Sequence, residues 1–130
     1  MHKSVLFAVG LLTALAGCAS GPRATNIDQA SPHATWQGVV RALQIADYAS
    51  LRRLTTDEGY SQLTRDRQGK RVPDKLVRVK GHAWGRFEAR VYKQTDSTAV
   101  LHIGPDFRQH TITFYKLGST WKLGSWVPAE

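Results

Sequence analysis

The chain has 130 residues, 18 lysines and arginines against 10 acidic residues, a net charge of +8 and a single cysteine. One cysteine excludes an intrachain disulfide and a multi-thiolate metal site, so the fold must rest on its apolar core. The length suits one domain with enough buried surface to stand alone.

The amino terminus reads as an export leader. Met1-His2-Lys3 is short and positive, and Val5 to Ala16 is apolar apart from Thr13. Such a stretch is too short to span a bilayer as a stable helix. It ends in Leu15-Ala16-Gly17-Cys18, which resembles the lipobox of bacterial lipoproteins at all four positions. The resemblance implies a signal peptide over residues 1–17, cleaved ahead of Cys18. The Cys18 thiol would then carry a diacylglyceryl thioether, and the new amino terminus an acyl chain such as palmitate. Ordinary secretion, with cleavage after Ala14-Leu15-Ala16, and an uncleaved anchor are the competing readings. Leader and lipobox agree with each other and favour the lipoprotein. Ala19, which is not acidic, is similar to the residue that accompanies transfer to the outer membrane in Gram-negative lipoproteins, with the domain facing the periplasm.

Residues 18–30 are expected to form the lipidated cysteine and a flexible tether, since Ala19 to Ala30 bears Ser, Gly, Ala and Pro without an apolar period. The domain is expected over 31–130. Ser31-Pro32 suits a helix start, and Trp36, Val39, Val40 and Leu43 recur at helical spacing. Asp47 is read as a second cap, ahead of Tyr48, Leu51 and Leu54. Thr56 is read as a third, with Asp57 and Glu58 at the positive end of the helix dipole, ahead of Tyr60 and Leu63. Gly69 to Pro73 breaks the pattern, and Leu76 to Val79 fits either a short helix or a first strand.

From Gly85 the period becomes two. Phe87, Ala89 and Val91 alternate with Arg86, Glu88 and Arg90, which predicts a half-buried strand. Further strands are predicted over Thr98–Ile103, His110–Lys116 and Thr120–Val127, separated by turns at Gln94–Ser97, Gly104-Pro105-Asp106 and Leu117-Gly118-Ser119. Helices first and an antiparallel meander after make an α+β class, with the helices on one face of a curved sheet of about four strands.

Two segments resemble the nuclear transport factor two-like, or cone-like (SnoaL-like), superfamily. One is Ile45-Ala46-Asp47-Tyr48-Ala49-Ser50-Leu51 at the break between the first helices. The other is the closing hairpin from Thr113 to Leu123, where Gly118 leads into Trp121-Lys122-Leu123. The segment Gly69 to Gly85 departs from the family, being compact and basic where members have a longer helix–strand region. The resemblance implies a bent sheet around a helix and a concave pocket. It implies no single activity, because members include isomerases, dehydratases, hydrolases and binding modules.

Catalytic candidates are His82, His102, His110, Asp106, Tyr60 and Tyr92. His102 interrupts the apolar run Ala99 to Ile103. It faces outward with Val100 if Leu101 and Ile103 face the helices, and enters the pocket in the reverse register. Asp106 sits in a turn where carboxylates ordinarily cap backbone amides. No acid–base pair at useful spacing emerges. The histidines at 33, 82, 102 and 110 form no helical pair with a carboxylate, and no phosphate-binding glycine loop or nucleophile elbow is present. Neither a metal nor a cofactor is expected.

The ordinary role of Trp36, Trp84, Trp121 and Trp126 is core packing. A ligand face would draw on Trp84, Tyr92, His102 and Trp126. In a regular strand, Trp126 and Trp121 have opposite parity and lie on different sheet faces. Arg65, Arg67, Lys70, Arg71, Lys75, Arg78 and Lys80, against only Asp66 and Asp74, form a basic stretch. In an exported protein such a stretch meets anionic lipid, wall polymer or acidic proteins rather than nucleic acid. The expected function is a non-catalytic, membrane-anchored domain that binds a small apolar ligand or an envelope protein. Docking of the basic stretch on anionic lipid or wall polymer is the second reading, and a cone-like enzyme the third. Pairing with a second copy is left open.

Overall fold

The computed structural model describes residues 28–129 apart from residue 107. The leader, the lipobox and Cys18 therefore lie outside the described residues. Helix α1 spans Pro32–Gln44, α2 Tyr48–Leu54, α3 Asp57–Thr64 and α4 Asp74–Trp84. Strands β1 (Arg90–Gln94), β2 (Thr98–Ile103), β3 (His110–Leu117) and β4 (Thr120–Val127) come after them, paired antiparallel in the order β1-β2-β3-β4. The α+β class, the helices ahead of the sheet and the four strands match the sequence reading.

The caps work as their residue types predict. The Ser31 side chain accepts from the Ala34 amide with Pro32 in the first turn, and Thr56 accepts from Gly59. Asp47 is buried and accepts from both the amide and the hydroxyl of Ser50. The chain enters that cap through Ala46 at a φ of 54°, a left-handed residue that turns α1 into α2.

The ambiguous segment around Leu76–Val79 is helical. Val77, Gly81 and Trp84, at i, i+4 and i+7, are its buried stripe. Gly81 lies so close to α1 that a Cβ there would stand 2.6 Å from the Gln44 amide nitrogen and 2.8 Å from Leu43 Cβ. A side chain at this position would push the two helices apart.

Trp36, Val39, Leu43, Leu51, Leu54, Leu63, Val77 and Trp84 from the helices meet Leu101, Ile103, Ile112, Phe114, Trp121 and Leu123 from the sheet in one core. Each such residue contributes about 1.5–3 kcal/mol on burial, which is how a domain without disulfides is held. The helices gather over β4. Thr35 donates its hydroxyl to the Trp121 carbonyl, the Thr56 amide donates to the Leu123 carbonyl, and Thr55 forms a parallel bridge with Leu123 that covers the β4 edge.

Three expectations need correction. The strand expected from Gly85 begins only at Arg90, because residues 85–87 continue the end of α4 with amide bonds back to Gly81, Ala83 and Trp84. That strand is also exposed rather than half-buried: Val91 opposes the inward-facing Leu101 yet remains 53% exposed, since the helices lie toward β4. Ahead of Ser31, Gln29 is already fixed against the sheet. Its carbonyl accepts from the Trp121 amide, and its side-chain amide donates to the carbonyls of Arg53 and Trp121.

The third correction concerns Trp126. Thr113 opposes Ser125 but Phe114 opposes Leu123, so Gly124 is an extra residue, a β-bulge in β4. The bulge reverses the parity of the residues beyond it. Trp126 opposes Ile112 and thus shares the inner face with Trp121 and Leu123. On the outer face, the Tyr115 ring fills the space where a Gly124 Cβ would stand.

Gly81→Ala is expected to lower stability by about 1–3 kcal/mol through overpacking, despite the better helix propensity of alanine. Urea unfolding at neutral pH measures this. An unchanged or raised midpoint would show that the α1–α4 crossing does not need a glycine.

Candidate functional site

The bulge brings three tryptophans from three elements into one row. The centroids of Trp36 in α1 and Trp84 in α4 are 5.2 Å apart, and Trp126 in β4 meets Trp84 edge-on at 5.1 Å. Trp36 and Trp84 are 3% and 4% exposed, while Trp126 is half-buried. The row closes one end of the core, with the Trp84 ring against His110 of β3 and Trp126 of β4.

Lys80, one helical turn before Trp84, lays its ammonium 3.9 Å from the Trp126 ring centre and 5.6 Å from that of Trp84. Burial pushes the ammonium below its ordinary pKa, and the ring faces return part of the lost hydration by cation–π attraction. His110, at the start of β3, completes the cluster. Its Nδ1 accepts from Trp126 Nε1–H at 3.2 Å and from the Ala129 amide at 3.1 Å. Two donors aimed at Nδ1 leave the neutral ring's proton on Nε2. Burial, then Arg108, then Lys80 lower the pKa of His110. Its Nδ1 is therefore occupied as an acceptor that ties the chain end to the sheet.

Two grooves flank the row. The first, about 440 Å³, lies between α1 and the segment after α4, with Trp36, Val40, Trp84, Phe87 and Ala89 as its apolar wall. His33, Gln37, Arg41, Gln44 and Glu88 supply its polar rim. The second, about 700 Å³, runs from α3 to Trp126 and Pro128, with Arg65, Arg67 and Lys80 along it and Glu58 and Asp66 among its acids.

The four residues expected to share a ligand face do not share one. Trp84 and Trp126 stand on the inner side. Tyr92 and His102 stack at 4.5 Å on the outer face, beside a shallow depression with Arg90 and Gln109. The burial alternation of β2 decides this: Leu101 and Ile103 are buried and His102 faces out with Val100. Of the other candidates, His82 is exposed, and Tyr60 lies under the Arg52 guanidinium at 4.0 Å. Asp106 is exposed, and its carboxylate accepts from Arg90 rather than serving a pocket.

The basic stretch divides by structure. Residues 64–72 form a small hairpin, closed by the bridge between Arg65 and Arg71 and by the Val72 amide donating to the Thr64 carbonyl. Asp66 accepts from the amides of Gln68 and Lys70 at its tip. The Arg71 guanidinium lies 4.2 Å over the Tyr48 ring, and the Tyr48 hydroxyl donates to Asp74 at 2.5 Å. Burial first, then that bond, raises the Tyr48 pKa. Lys75 and Arg78 stand on the outer side of α4, whereas Lys80 turns in to the tryptophans.

Sequence reasoning missed the union of Lys80, His110 and Trp126. One signal was available: a glycine inside an apolar strand marks a bulge. Among the described residues, no group of three His, Cys, Asp or Glu side chains is placed to hold a metal ion. No described helix is long and apolar enough to cross a membrane.

No protein-family model matches the chain, and no curated protein matches it. Among solved structures, it is similar to the solution structure of a SEC-C motif containing protein from Rhodopseudomonas palustris, at 17% identity and a TM-score of 0.45, over 78% of this chain and 80% of that one.

The lowered pKa of His110 makes a signed expectation. The unfolded chain takes up this proton near pH 6.5, before the folded one does, so stability is lost as pH falls below about 6.5. His110→Asn keeps an acceptor for Trp126 and Ala129 but does not titrate. The urea midpoint of His110→Asn should fall less between pH 7.5 and 5.5 than that of the parent chain. Equal falls would remove His110 from the acid response.

Proposed function

We propose that this chain is a membrane-anchored envelope lipoprotein whose cone-like domain binds a small, apolar or ring-bearing ligand without transforming it. The anchor rests on the leader and on Leu15-Ala16-Gly17-Cys18. Each methylene inserted into the bilayer contributes about 0.8 kcal/mol, so two or more acyl chains on Cys18 hold the protein there durably. The cone-like reading draws support from helices preceding a meander, from the break at Asp47-Tyr48 and from the Gly118 turn into Trp121.

One observation carries the ligand reading. The groove beside Trp84 has a continuous apolar wall, and Phe87 on that wall is 41% exposed. A large aromatic left in contact with water beside two buried indoles is a surface that a ring or alkyl chain would cover. The volume of about 440 Å³ falls in the range of small-molecule sites, and the polar rim supplies orientation. His33 and Glu88 sit exposed on that rim rather than deep in the groove, which favours recognition over acid–base chemistry.

Native mass spectrometry of the exported chain carrying Cys18→Ser should show a reproducible bound mass of small-molecule size. That mass should be lost in a second variant with Phe87→Ser added. A bare chain mass under gentle conditions would overturn the ligand reading. The parent chain should incorporate labelled palmitate and the Cys18→Ser chain should not. Equal labelling, or none in either, would overturn lipid anchoring.

A further inference from the structure

Helix α4 turns Val77, Gly81 and Trp84 inward, so its opposite side meets solvent. That side is not uniformly polar. Leu76 is 55% and Val79 54% exposed, and residues three apart on a helix form one surface. Lys75 and Arg78, both exposed, stand beside them. An isolated exposed leucine is ordinary, but a paired aliphatic ridge among cations is the pattern of a helix that lies in a membrane interface.

The hairpin over residues 64–72 extends this surface. Arg71 on the Tyr48 ring and the Tyr48–Asp74 hydrogen bond fix it to the start of α4, so Arg71 is held at the same end as Lys75. The two acids of the stretch, Asp66 on its own turn and Asp74 on Tyr48, keep their charge but are outnumbered by its seven cations. The ion pairs found among the described residues, Arg52–Asp57 and Arg90–Asp106, lie elsewhere. The surface therefore presents a positive field around an apolar ridge.

We infer that the outer face of α4, with the adjoining hairpin, docks on an anionic phospholipid leaflet. Leu76 and Val79 would enter the interface while Lys75, Arg78 and Arg71 meet the headgroup phosphates. Charge complementarity selects this partner. From the anchorage reading it takes only the nearness of the leaflet. The ten residue-to-residue steps from Cys18 to Asp28 reach at most about 35 Å when extended, which keeps the domain beside the bilayer and free to present this face.

The test uses the acylated full chain carrying Val79→Cys. Cys18 is the only native cysteine and would be blocked by lipid, so a nitroxide attaches at position 79 alone. Power-saturation electron paramagnetic resonance is recorded on phosphatidylglycerol–phosphatidylethanolamine vesicles and on phosphatidylcholine vesicles. On the anionic vesicles the label should be relaxed by oxygen several-fold more than by a water-soluble nickel chelate. That preference should vanish on phosphatidylcholine and in the presence of Lys75→Gln with Arg78→Gln. A label at Asp96→Cys, in the exposed β1–β2 turn, should stay aqueous on both.

A label at position 79 that is equally aqueous on both vesicle types overturns the inference. So does immersion that ignores lipid charge, or a label shielded from both reagents by a second copy. Seating on insoluble anionic wall polymer with no immersion in vesicles also overturns it. Flotation separates the two readings. A chain that floats with phosphatidylcholine vesicles is anchored whether or not α4 docks. One that floats only with anionic vesicles and still shows immersion at position 79 docks without the anchor.

Discussion

Trp84 holds the helix layer to the far end of the sheet, and its position depends on how closely α4 can approach α1. The approach is set at Gly81, where one backbone lies against the other. Three residues later the chain delivers Trp84 between Trp36 and Trp126. The wall of the first groove and the seat of Lys80 both depend on that placement. With one cysteine in the sequence and no metal cluster among the described residues, the contact is maintained by packing and hydrogen bonds alone. The described part of the molecule leaves no buried side-chain nitrogen or oxygen without a partner, as a stable polar network in a small core requires.

The cationic residues of the chain do different physical work according to what lies beneath them. Lys80 is drawn over two indoles and loses water. Arg71 spreads over Tyr48 and locks a hairpin to a helix. Arg90 pairs with Asp106 on the outside of the sheet. Lys75 and Arg78 remain on an outward helix face. A net charge of +8 thus resolves into internal packing, local locking and a surface field, and only the last acts at a distance.

The helices were legible because their signals are local. Ser31-Pro32, Asp47 and Thr56 cap as their side chains dictate, and the stripe from Trp36 to Leu43 has one period throughout. Strand β2 was legible for the same reason, and its alternation settled the side taken by His102. The segment from Gly85 to Ala89 is no strand because residues 85–87 bond back into the end of α4, and the alternation of side chains does not reveal such a helix end. Trp126 was misplaced because parity counting assumes a regular strand, and Gly124 breaks it by one residue. The union of Trp126, Lys80 and His110 was hidden by the same step, since it needs three elements brought together by long-range pairing. Cys18 and its leader remain a reading of sequence, outside the described residues.

Gln29 gives the domain a mechanical character. Any pull on the chain ahead of Asp28 reaches Gln29 first, where three hydrogen bonds join it to Trp121 at the start of β4 and to Arg53 at the end of α2. The load passes into β4, which is paired along its length with β3, before it can unwind α1 from Ser31. Tension is thereby shared across several bonds of the sheet instead of peeling one helical turn at a time. A body tugged by a tether would keep its helix layer, and with it the tryptophan row, until those three bonds had failed.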